Sequence, residues 1–297
     1  MKILWSCAAL ALCGLTAAAP LRAAPVEATD ARGRTVRLAQ PAQRIVTLAP
    51  HLTELAFAAA AGDRVAGVAR FSDHPPEARR LPVVSDALHF DLERMLALRA
   101  DLVLAWDSGT PNEAIARIER AGLPVFVAAA GRLDDIAANL AAIARLAGRT
   151  EEARSRSEAF TAGLAALRQR RSEGKPPRVF YEIWDRPLMT VSDRHLIGEI
   201  IALCGGVNVF GGERPLTPEV SREALIAARP DLVLGGTSAD RPQDFAARWR
   251  VLPPPMNRWP AHYIAADLIQ RPTPRILEAA RQVCTQLDAI RASRQPY

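Results

Sequence analysis

The sequence lacks the short motifs by which several large enzyme classes are recognised. It contains no G-x-x-x-x-G-K phosphate loop, no G-x-G-x-x-G dinucleotide fingerprint, no H-E-x-x-H zinc motif and no G-x-S-x-G nucleophile elbow. Its five histidines, at positions 51, 74, 89, 195 and 262, are dispersed along the chain. We therefore expect no catalytic residues, no metal ligands and no resident cofactor, and predict that the protein is not an enzyme. A metal-dependent hydrolase is a distant alternative.

Lysine is nearly absent, because Lys2 and Lys175 are the only two lysines among 38 basic residues. Arginine supplies the rest of the basic charge, and the formal net charge at pH 7 is +6. The arginines are scattered along the chain rather than gathered in a stripe. This distribution is typical of a solvated surface and argues against a nucleic-acid partner.

Long apolar runs are absent after the first two dozen residues. Lys2 is followed by an Ala/Leu-rich run to Ala19 and by small residues around Ala23. A short positively charged region, an apolar stretch and a cleavage site with small residues are typical of a secretory signal peptide, which we predict over residues 1–23. A membrane anchor is the alternative, but a run of about 17 residues is short for a bilayer span. The mature protein is expected in the periplasm, soluble and monomeric.

Cysteine is scarce once the signal is removed. Cys7 and Cys13 leave with it, so the mature chain keeps Cys204 and Cys284. Two cysteines in an oxidising compartment favour a disulfide. A zinc site would need further thiolate or imidazole ligands at close spacing, and none flanks either cysteine.

Short apolar runs alternate with helical stretches along most of the mature chain. Residues 26–38 read as a hairpin with a glycine-containing turn. Strand-like runs follow at 44–49, 65–69, 102–105 and 125–128, and in the second half at 178–183. Helical patterns separate these runs, and this alternation predicts an α/β fold with parallel sheets.

One helix–strand unit occurs twice. The segment LERMLALRADLVLAW (92–106) resembles SREALIAARPDLVLGG (221–236), and in each a glutamate, Glu93 or Glu223, precedes an Asp-Leu-Val-Leu strand by eight residues. The repetition suggests two Rossmann-like lobes of similar build, at residues 24–133 and 173–297. Between them, 134–172 carry an almost unbroken helical pattern that is free of proline, with a possible local break at 148–150. We expect one rigid connecting helix, about 57 Å long if continuous, with a ligand cleft between the lobes.

The candidate cleft lies where the predicted strands end, because open α/β sheets bind ligands at the carboxyl ends of their strands. These ends carry His51, Phe71, Trp106, Trp184 and the segment Asp267-Leu268-Ile269-Gln270-Arg271. Three rings together with an Asp/Arg pair favour a pocket for a bulky, partly apolar ligand. His51 follows Pro50 at a strand-to-helix turn, where a histidine is more often a hydrogen-bonding cap than a metal ligand.

Several ordered segments, spanning residues 44–290, resemble the periplasmic cobalamin-binding proteins of ABC importers, which belong to the helical-backbone class of substrate-binding proteins. These segments are RIVTLAPHLTELAFAAAAG, FSDHPPEARRLPVVSD, LERMLALRADLVLAW, YEIWDRPL, LCGGVNVF, VSREAL and RPTPRILEAARQVC. The resemblance implies two α/β lobes joined by one helix, with a ligand held between them. It also implies pairing of Cys204 with Cys284.

The resemblance carries over unevenly to the ligand site. Phe71 stands where the family usually has tyrosine, and Trp106 matches a family tryptophan. The family's Asp-Trp-Phe-Glu-Arg loop corresponds to Asp267-Leu268-Ile269-Gln270-Arg271, which keeps the Asp and the Arg but not the aromatic pair. Trp184 is expected to compensate for lost rings. Glu93 and Glu223 correspond to glutamates that meet arginines on the permease's periplasmic face.

The sequence thus predicts an exported binding protein that captures a corrinoid, with cobalamin as the first candidate, as its transported ligand and delivers it to an inner-membrane ABC permease. Haem or an iron–siderophore complex are alternative ligands, because proteins of one fold bind different ligands.

Overall fold

The computed structural model describes residues 24–86, 89–170, 172–236 and 241–294. The predicted signal peptide, residues 1–23, lies outside the described residues. None of the described helices is both long enough and apolar enough to cross a membrane.

The chain begins with the predicted hairpin, formed by β1 (Val26–Thr29) and β2 (Thr35–Leu38) in antiparallel pairing. Gly33 has a φ of +73° in the connecting turn, a conformation that side chains with a Cβ rarely adopt. The buried carboxylate of Asp30 accepts hydrogen bonds from the backbone N–H groups of Arg32 and Arg34, at 2.9 and 3.1 Å. These bonds satisfy the donors that the tight turn leaves free.

The N-terminal lobe is built on a parallel sheet with the strand order β5-β4-β3-β6-β7. Its strands are β3 (Ile45–Thr47), β4 (Val65–Ala69), β5 (Val83–Ser85), β6 (Leu102–Trp106) and β7 (Val125–Ala128), and its helices are α1 (Pro50–Ala58), α2 (Leu92–Ala97), α3 (Asn112–Arg120) and α4 (Leu133–Leu146). Successive strand residues face opposite sides. Leu102 and Leu104 pack in one buried cluster and Val103 and Ala105 in another, so apolar cores cover both faces.

The C-terminal lobe contains a second parallel sheet, with the order β11-β8-β12-β13 among the residues that are described there. Its strands are β8 (Arg178–Glu182), β11 (Val207–Asn208), β12 (Leu232–Gly235) and β13 (Ala261–Tyr263), with the small hairpin β9 (Trp184–Asp185) and β10 (Leu188–Met189). Its helices are α6 (Leu196–Leu203), α7 (Arg222–Ala228), α8 (Pro242–Arg250), α9 (Ala266–Ile269) and α10 (Ile276–Ala292). The predicted α/β class with parallel sheets is confirmed.

The connection between the lobes differs from a continuous helix over 134–172. The chain forms α4 and, after a break, α5 (Thr150–Arg168). Gly148, with φ +62°, makes the break, and a Cβ there would lie 2.8 Å from Pro41. The ion pair of Asp134 with Arg168, at 2.8 Å, joins the start of α4 to the end of α5, so the two helices are antiparallel. The connecting helix is therefore α5 alone, about 28 Å long at 1.5 Å per residue.

Helix α5 packs on both lobes. Arg156 donates to the carbonyl of Phe57 in the N-terminal lobe at 2.8 Å. A Cβ on Gly163 would lie 2.6 Å from the Leu277 side chain of α10, so the helix and α10 are in close contact. Buried residues of both lobes and of α5 belong to one continuous apolar cluster. The connection is rigid because its apolar face is part of the core.

Cys204, after α6, and Cys284, in α10, form the predicted disulfide. Both residues are buried. Arg291 of α10 donates to the carbonyl oxygens of Cys204 and Gly205 at 2.7 and 2.8 Å. The disulfide and these hydrogen bonds fasten the C-terminal helix to the second lobe.

The repeated unit has the same local structure in both lobes. Asp101 and Asp231, each just before a strand, accept from the backbone N–H of Arg44 and Arg178, at 2.8 and 2.7 Å. The same two arginines donate through Nε to carbonyls at the ends of α2 and α7. Each helix is followed by an arginine with positive φ, Arg99 at 53° and Arg229 at 46°. The sequence repeat is therefore present in three dimensions.

Candidate ligand-binding cleft

The carboxyl edge of the first sheet brings together three of the residues singled out in the sequence. His51 follows β3, Phe71 follows β4 and Trp106 ends β6. Because β3 lies between β4 and β6 in the sheet, His51 lies between the other two. The imidazole of His51 and the indole of Trp106 meet edge-on, with ring centroids 4.8 Å apart.

Buried hydroxyl groups next to this edge form hydrogen bonds with one another. The Oγ1 atoms of Thr47 and Thr53 are 2.7 Å apart, and Thr53 Oγ1 lies 2.9 Å from Ser72 Oγ. The chain of hydrogen bonds ties the end of β3, helix α1 and the loop after β4 to one another. It fixes the positions from which His51 and Phe71 project.

The two N-terminal rings differ in how they are held. Trp106 lies over its own loop, since a Cβ on Gly109 would be 1.8 Å from Cζ2 of the indole. The Phe71 side chain is 75% exposed, and its φ of +65° is unfavourable for a residue with a Cβ. The Phe71 carbonyl accepts from Arg271 Nη2 at 3.4 Å. An exposed ring on a constrained loop is available for contact with a ligand.

In the second lobe, Trp184 lies in the β9–β10 hairpin. Its indole is half exposed, and its Nε1 donates to the Arg186 carbonyl at 2.9 Å. Among the described residues, no stacked or edge-to-face pair joins Trp184 to Phe71 or Trp106. Trp184 is thus a ring of the second lobe that does not pack directly on the other two.

The segment Asp267 to Arg271 divides between core and cleft. Ile269 is fully buried in the apolar cluster, so the expectation that its side chain lines the cleft is corrected. Leu268 is partly buried against the same cluster. Gln270 Nε2 lies 3.4 Å from the hydroxyl of Tyr181, which is itself buried. Asp267 is half exposed and pairs with Arg275 at 3.2 Å.

Arg271 contacts the first lobe through two carboxylates. Its Nη1 donates to Glu54 Oε1 and to Asp73 Oδ1, each at 2.7 Å. Arg275 donates to both oxygens of Glu54, at 3.0 and 2.8 Å. The Glu54 side chain is only 3% exposed. We call Glu54, Asp73, Asp267, Arg271 and Arg275 the inter-lobe charge cluster.

The charge cluster shifts the pKa values of Asp73 and Arg271. Burial acts to raise the pKa of Asp73, but the hydrogen bond and the charge of Arg271 outweigh it, and the pKa is lowered. Burial acts to lower the pKa of Arg271, and the carboxylates of Glu54 and Asp73 reverse this. Glu54, Asp73 and Arg275 were not identified from the sequence. All three residues lie in segments that carry the family resemblance, but no local pattern in those segments indicates that they pair.

His51 does not act as the hydrogen-bonding cap that its position suggested. No described side chain caps helix α1. His51 Nε2 is buried, and none of the described residues forms a hydrogen bond with it. Burial, assisted by the charge of Arg271, lowers the pKa of His51 to about 3, so the ring is neutral at physiological pH. In the part of the chain that is described, no group of three or more His, Cys, Asp or Glu side chains could hold a metal ion.

Glu93 and Glu223 occupy equivalent positions, each the second residue of its helix and exposed. The helix N-termini are already capped. Asp91 accepts from the Arg94 N–H at 2.9 Å, and Ser221 accepts from the Ala224 N–H at 3.0 Å. The pKa of Glu223 is lowered by its own backbone N–H and by the Ser221 hydroxyl. Both glutamates are nevertheless exposed on the surface of their helices.

Comparison with known proteins shows where this architecture recurs. The family model described as periplasmic binding protein matches residues 45–281. A vitamin B12-binding protein of Vibrio cholerae is 33% identical over 247 residues, which make up 83% of this chain and 90% of the relative.

Two solved structures extend the comparison. The crystal structure of the periplasmic vitamin B12 binding protein BtuF of Vibrio cholerae matches with a TM-score of 0.76 at 33% identity, covering 86% of this chain and 99% of that one. The structure of the periplasmic heme-binding protein BhuT, in complex with two hemes, matches with a TM-score of 0.73 at 24% identity. The match covers 83% of this chain and 98% of that one. At this identity the similarity shows a shared fold only. Because the family model and the relative each match most of the chain, the protein belongs to the periplasmic binding protein family.

Proposed function

We propose that this protein captures a corrinoid, most directly cobalamin, and delivers it to an ABC permease. The observation that carries the proposal is the 33% identity to a vitamin B12-binding protein over nine tenths of that relative's length. The exposed Phe71, the half-exposed Trp184 and the strand-end Trp106 supply rings of the kind that a broad, partly apolar macrocycle would contact.

The proposed binding mode uses rings for the faces of the corrin and polar groups for its rim. Phe71 and Trp106 belong to the first lobe and Trp184 to the second, so a ligand between the lobes would meet rings from both. Asp267 and Arg271 would hydrogen-bond to the amides of the corrin rim. While it bound the corrin rim, Arg271 would keep its ion pairs with Glu54 and Asp73.

Export and delivery complete the proposal. Residues 1–23 would direct secretion and be removed, and the mature monomer would work in the periplasm without catalysing a reaction. Glu93 and Glu223, one on each lobe, would contact arginines on the periplasmic face of the permease. The equivalent placement of the two glutamates in the repeated unit supports a docking surface that uses both lobes together.

Calorimetry on the mature chain with three ligand classes tests the proposal. We expect saturable one-to-one binding of cyanocobalamin, with weaker or no binding of haemin and of a ferric hydroxamate siderophore. Tight binding of haemin without binding of any corrinoid would overturn the corrinoid assignment in favour of haem. Turnover of a chromogenic ester in a metal-dependent manner would instead support a hydrolase.

A further inference from the structure

His51 occupies the centre of the ligand edge of the first lobe. It follows the middle strand β3, with the Phe71 loop on one side and the end of β6 on the other. Its imidazole touches the Trp106 indole, at a centroid distance of 4.8 Å. Arg271 of the second lobe is close enough for its charge to act on His51. A ligand held by both lobes would therefore lie over this residue.

The Nε2 atom of His51 is buried and has no hydrogen-bond partner among the described residues. The side chain as a whole is 6% exposed. A buried polar atom without a partner is unfavourable, and most such atoms in folded proteins are satisfied. The nearby hydroxyls of Thr53 and Ser72 are engaged with each other rather than with His51. This edge thus carries one imidazole nitrogen that no described residue satisfies by a hydrogen bond.

The chemistry of Nε2 limits the kinds of ligand atom that it could bind. The ring is neutral, so the tautomer with its proton on Nδ1 offers a lone pair at Nε2, and neutral imidazole is a common ligand of transition metals. One imidazole cannot hold a free metal ion, and the described residues contain no cluster that could. A metal ion already held by a macrocycle needs only one further donor, on its axis.

We propose that His51 Nε2 is an axial ligand for the cobalt of a corrinoid whose lower axial position is open, such as a cobinamide. The inference rests on the proposed function and adds which form of corrinoid the site selects. Because the Trp106 indole meets the imidazole edge-on, both rings would have to shift for the corrin to reach Nε2.

The ligation step is a substitution at cobalt(III). The lone pair of His51 Nε2 forms the new cobalt–nitrogen bond, and the axial water leaves with its own electron pair as a water molecule. Cobalt keeps its oxidation state. No proton moves, because the imidazole is neutral before and after the exchange.

The test compares two corrinoids and two variants by visible absorption and calorimetry. Diaquacobinamide has exchangeable axial waters, whereas cyanocobalamin has both axial positions filled. His51→Phe keeps a ring against Trp106 but removes the nitrogen, and His74→Ala removes another imidazole of the same lobe as a matched control. Thermal melting of each variant establishes that it is folded before its binding is measured.

Wild-type protein and His74→Ala should shift the spectrum of diaquacobinamide towards that of a nitrogen-ligated corrinoid. His51→Phe should abolish the shift and weaken diaquacobinamide binding by about tenfold or more, as expected for loss of a group that supports a metal. The loss of affinity for cyanocobalamin, whose axial positions are both filled, should be smaller than the loss for diaquacobinamide by about threefold or more.

Two other results would overturn the inference. Binding of diaquacobinamide to wild-type protein without a spectral change, a readout that does not depend on the variant, would exclude ligation. Equal weakening of both corrinoids in His51→Phe would show that the imidazole only orients Trp106. Both results leave the proposed function intact. Failure of the wild-type protein to bind any corrinoid would overturn the proposed function, and this inference with it.

Discussion

Arg271 of the second lobe donates to Glu54 of the first at 2.7 Å, and the Glu54 carboxylate is almost completely buried. Two residues separated by 217 positions in the chain thus meet across the cleft. Arg275 contacts the same carboxylate at 2.8 Å. Because Arg271 is also a proposed ligand contact, the pairing of the lobes and the binding of the ligand share one side chain.

Removing the Glu54 charge should destabilise the protein more than removing an exposed one. Breaking a buried ion pair costs roughly 3–5 kcal/mol, because the remaining charge is left buried without compensation. We expect Glu54→Gln to lie near the lower end, about 3 kcal/mol, since Arg271 keeps Asp73 and Arg275 keeps Asp267. Urea denaturation measures the change.

Glu77→Gln is the matched control, because Glu77 is an exposed glutamate of the same lobe. Its free energy of unfolding should change by no more than about 0.5 kcal/mol, as for most surface substitutions. If the two substitutions changed the free energy of unfolding equally, the buried ion pairs of Glu54 would not stabilise the protein more than an exposed carboxylate does.

Reduction of the Cys204–Cys284 disulfide should lower stability without removing the ligand site. The bond closes a loop with a sequence separation of 80 residues, for which chain-entropy estimates give about 4–5 kcal/mol as an upper figure. Both cysteines pack in the second lobe, away from the strand ends that carry the rings. The double variant Cys204→Ser, Cys284→Ser should melt at a lower temperature yet bind cyanocobalamin with similar affinity. A large loss of affinity below the melting transition would contradict this separation.

The fold was predictable because its signals are local. Apolar runs of strand length alternate with helical periodicity, and the strands predicted at 65–69 and 125–128 match β4 and β7. The connecting helix was predicted too long. Helical periodicity continues on both sides of Gly148, and only the packing of α4 against α5 shows that the chain reverses there. Strand β5, three residues long, was missed because so short a run carries no periodicity.

The sequence allowed us to predict the candidate residues at the strand ends, but not the ion pairs between the lobes. Phe71, Trp106 and Trp184 do lie at or just after strand ends, and their contact with a ligand stays a prediction. Ile269 was assigned to the cleft together with its neighbours, but in the four-residue helix α9 its side chain is buried in the apolar cluster whereas Leu268 is only partly buried. The pairing of Glu54 with Arg271 depends on the relative position of two lobes, which no local pattern encodes.

Truncating Trp106 should weaken corrinoid binding. Trp106→Ala removes the ring that lies at the ligand edge beside His51, and loss of a buried aromatic contact typically costs about 1–3 kcal/mol of binding free energy. Trp106→Phe keeps an aromatic face and should lose less. Isothermal titration with cyanocobalamin gives both values. Unchanged affinity in Trp106→Ala and in Phe71→Ala would place the ligand elsewhere.

Acidification should destabilise the protein partly through His51. Its pKa in the folded protein is lowered from 6.5 to about 3 by burial, so the unfolded chain binds the proton first. The stability that the neutral ring contributes is complete above pH 6.5 and is lost as the pH falls towards 3. At pH 4 the loss should reach about 3 kcal/mol, at 1.36 kcal/mol per pKa unit.

The variant His51→Gln does not titrate and should therefore lose less stability than the wild type between pH 7 and pH 4. His195 contributes separately, because burial lowers its pKa to about 4, and its effect should remain in the variant. Urea denaturation at a series of pH values measures both curves. Parallel curves for the two proteins would show that His51 is accessible to protons in the folded state.

Glu93 and Glu223 should act in delivery rather than in folding or ligand binding. Both are exposed, and Asp91 and Ser221 already cap their helices. A purely structural role would give at most about 0.3–1 kcal/mol per glutamate through the helix dipole. The double variant Glu93→Ala, Glu223→Ala should therefore keep nearly normal melting temperature and cobalamin affinity.

The same double variant should bind the permease more weakly, and the difference from wild type should shrink as salt screens the contacts. Glu113→Ala is the matched control, because Glu113 is likewise the second residue of a helix, α3, and lies outside the repeated unit. Transport into vesicles at limiting binding-protein concentration separates the two roles. Docking predicts slow transport by the double variant and normal transport by Glu113→Ala. Normal transport by the double variant, together with a small loss of stability, would leave the two glutamates with only a role at their helix ends.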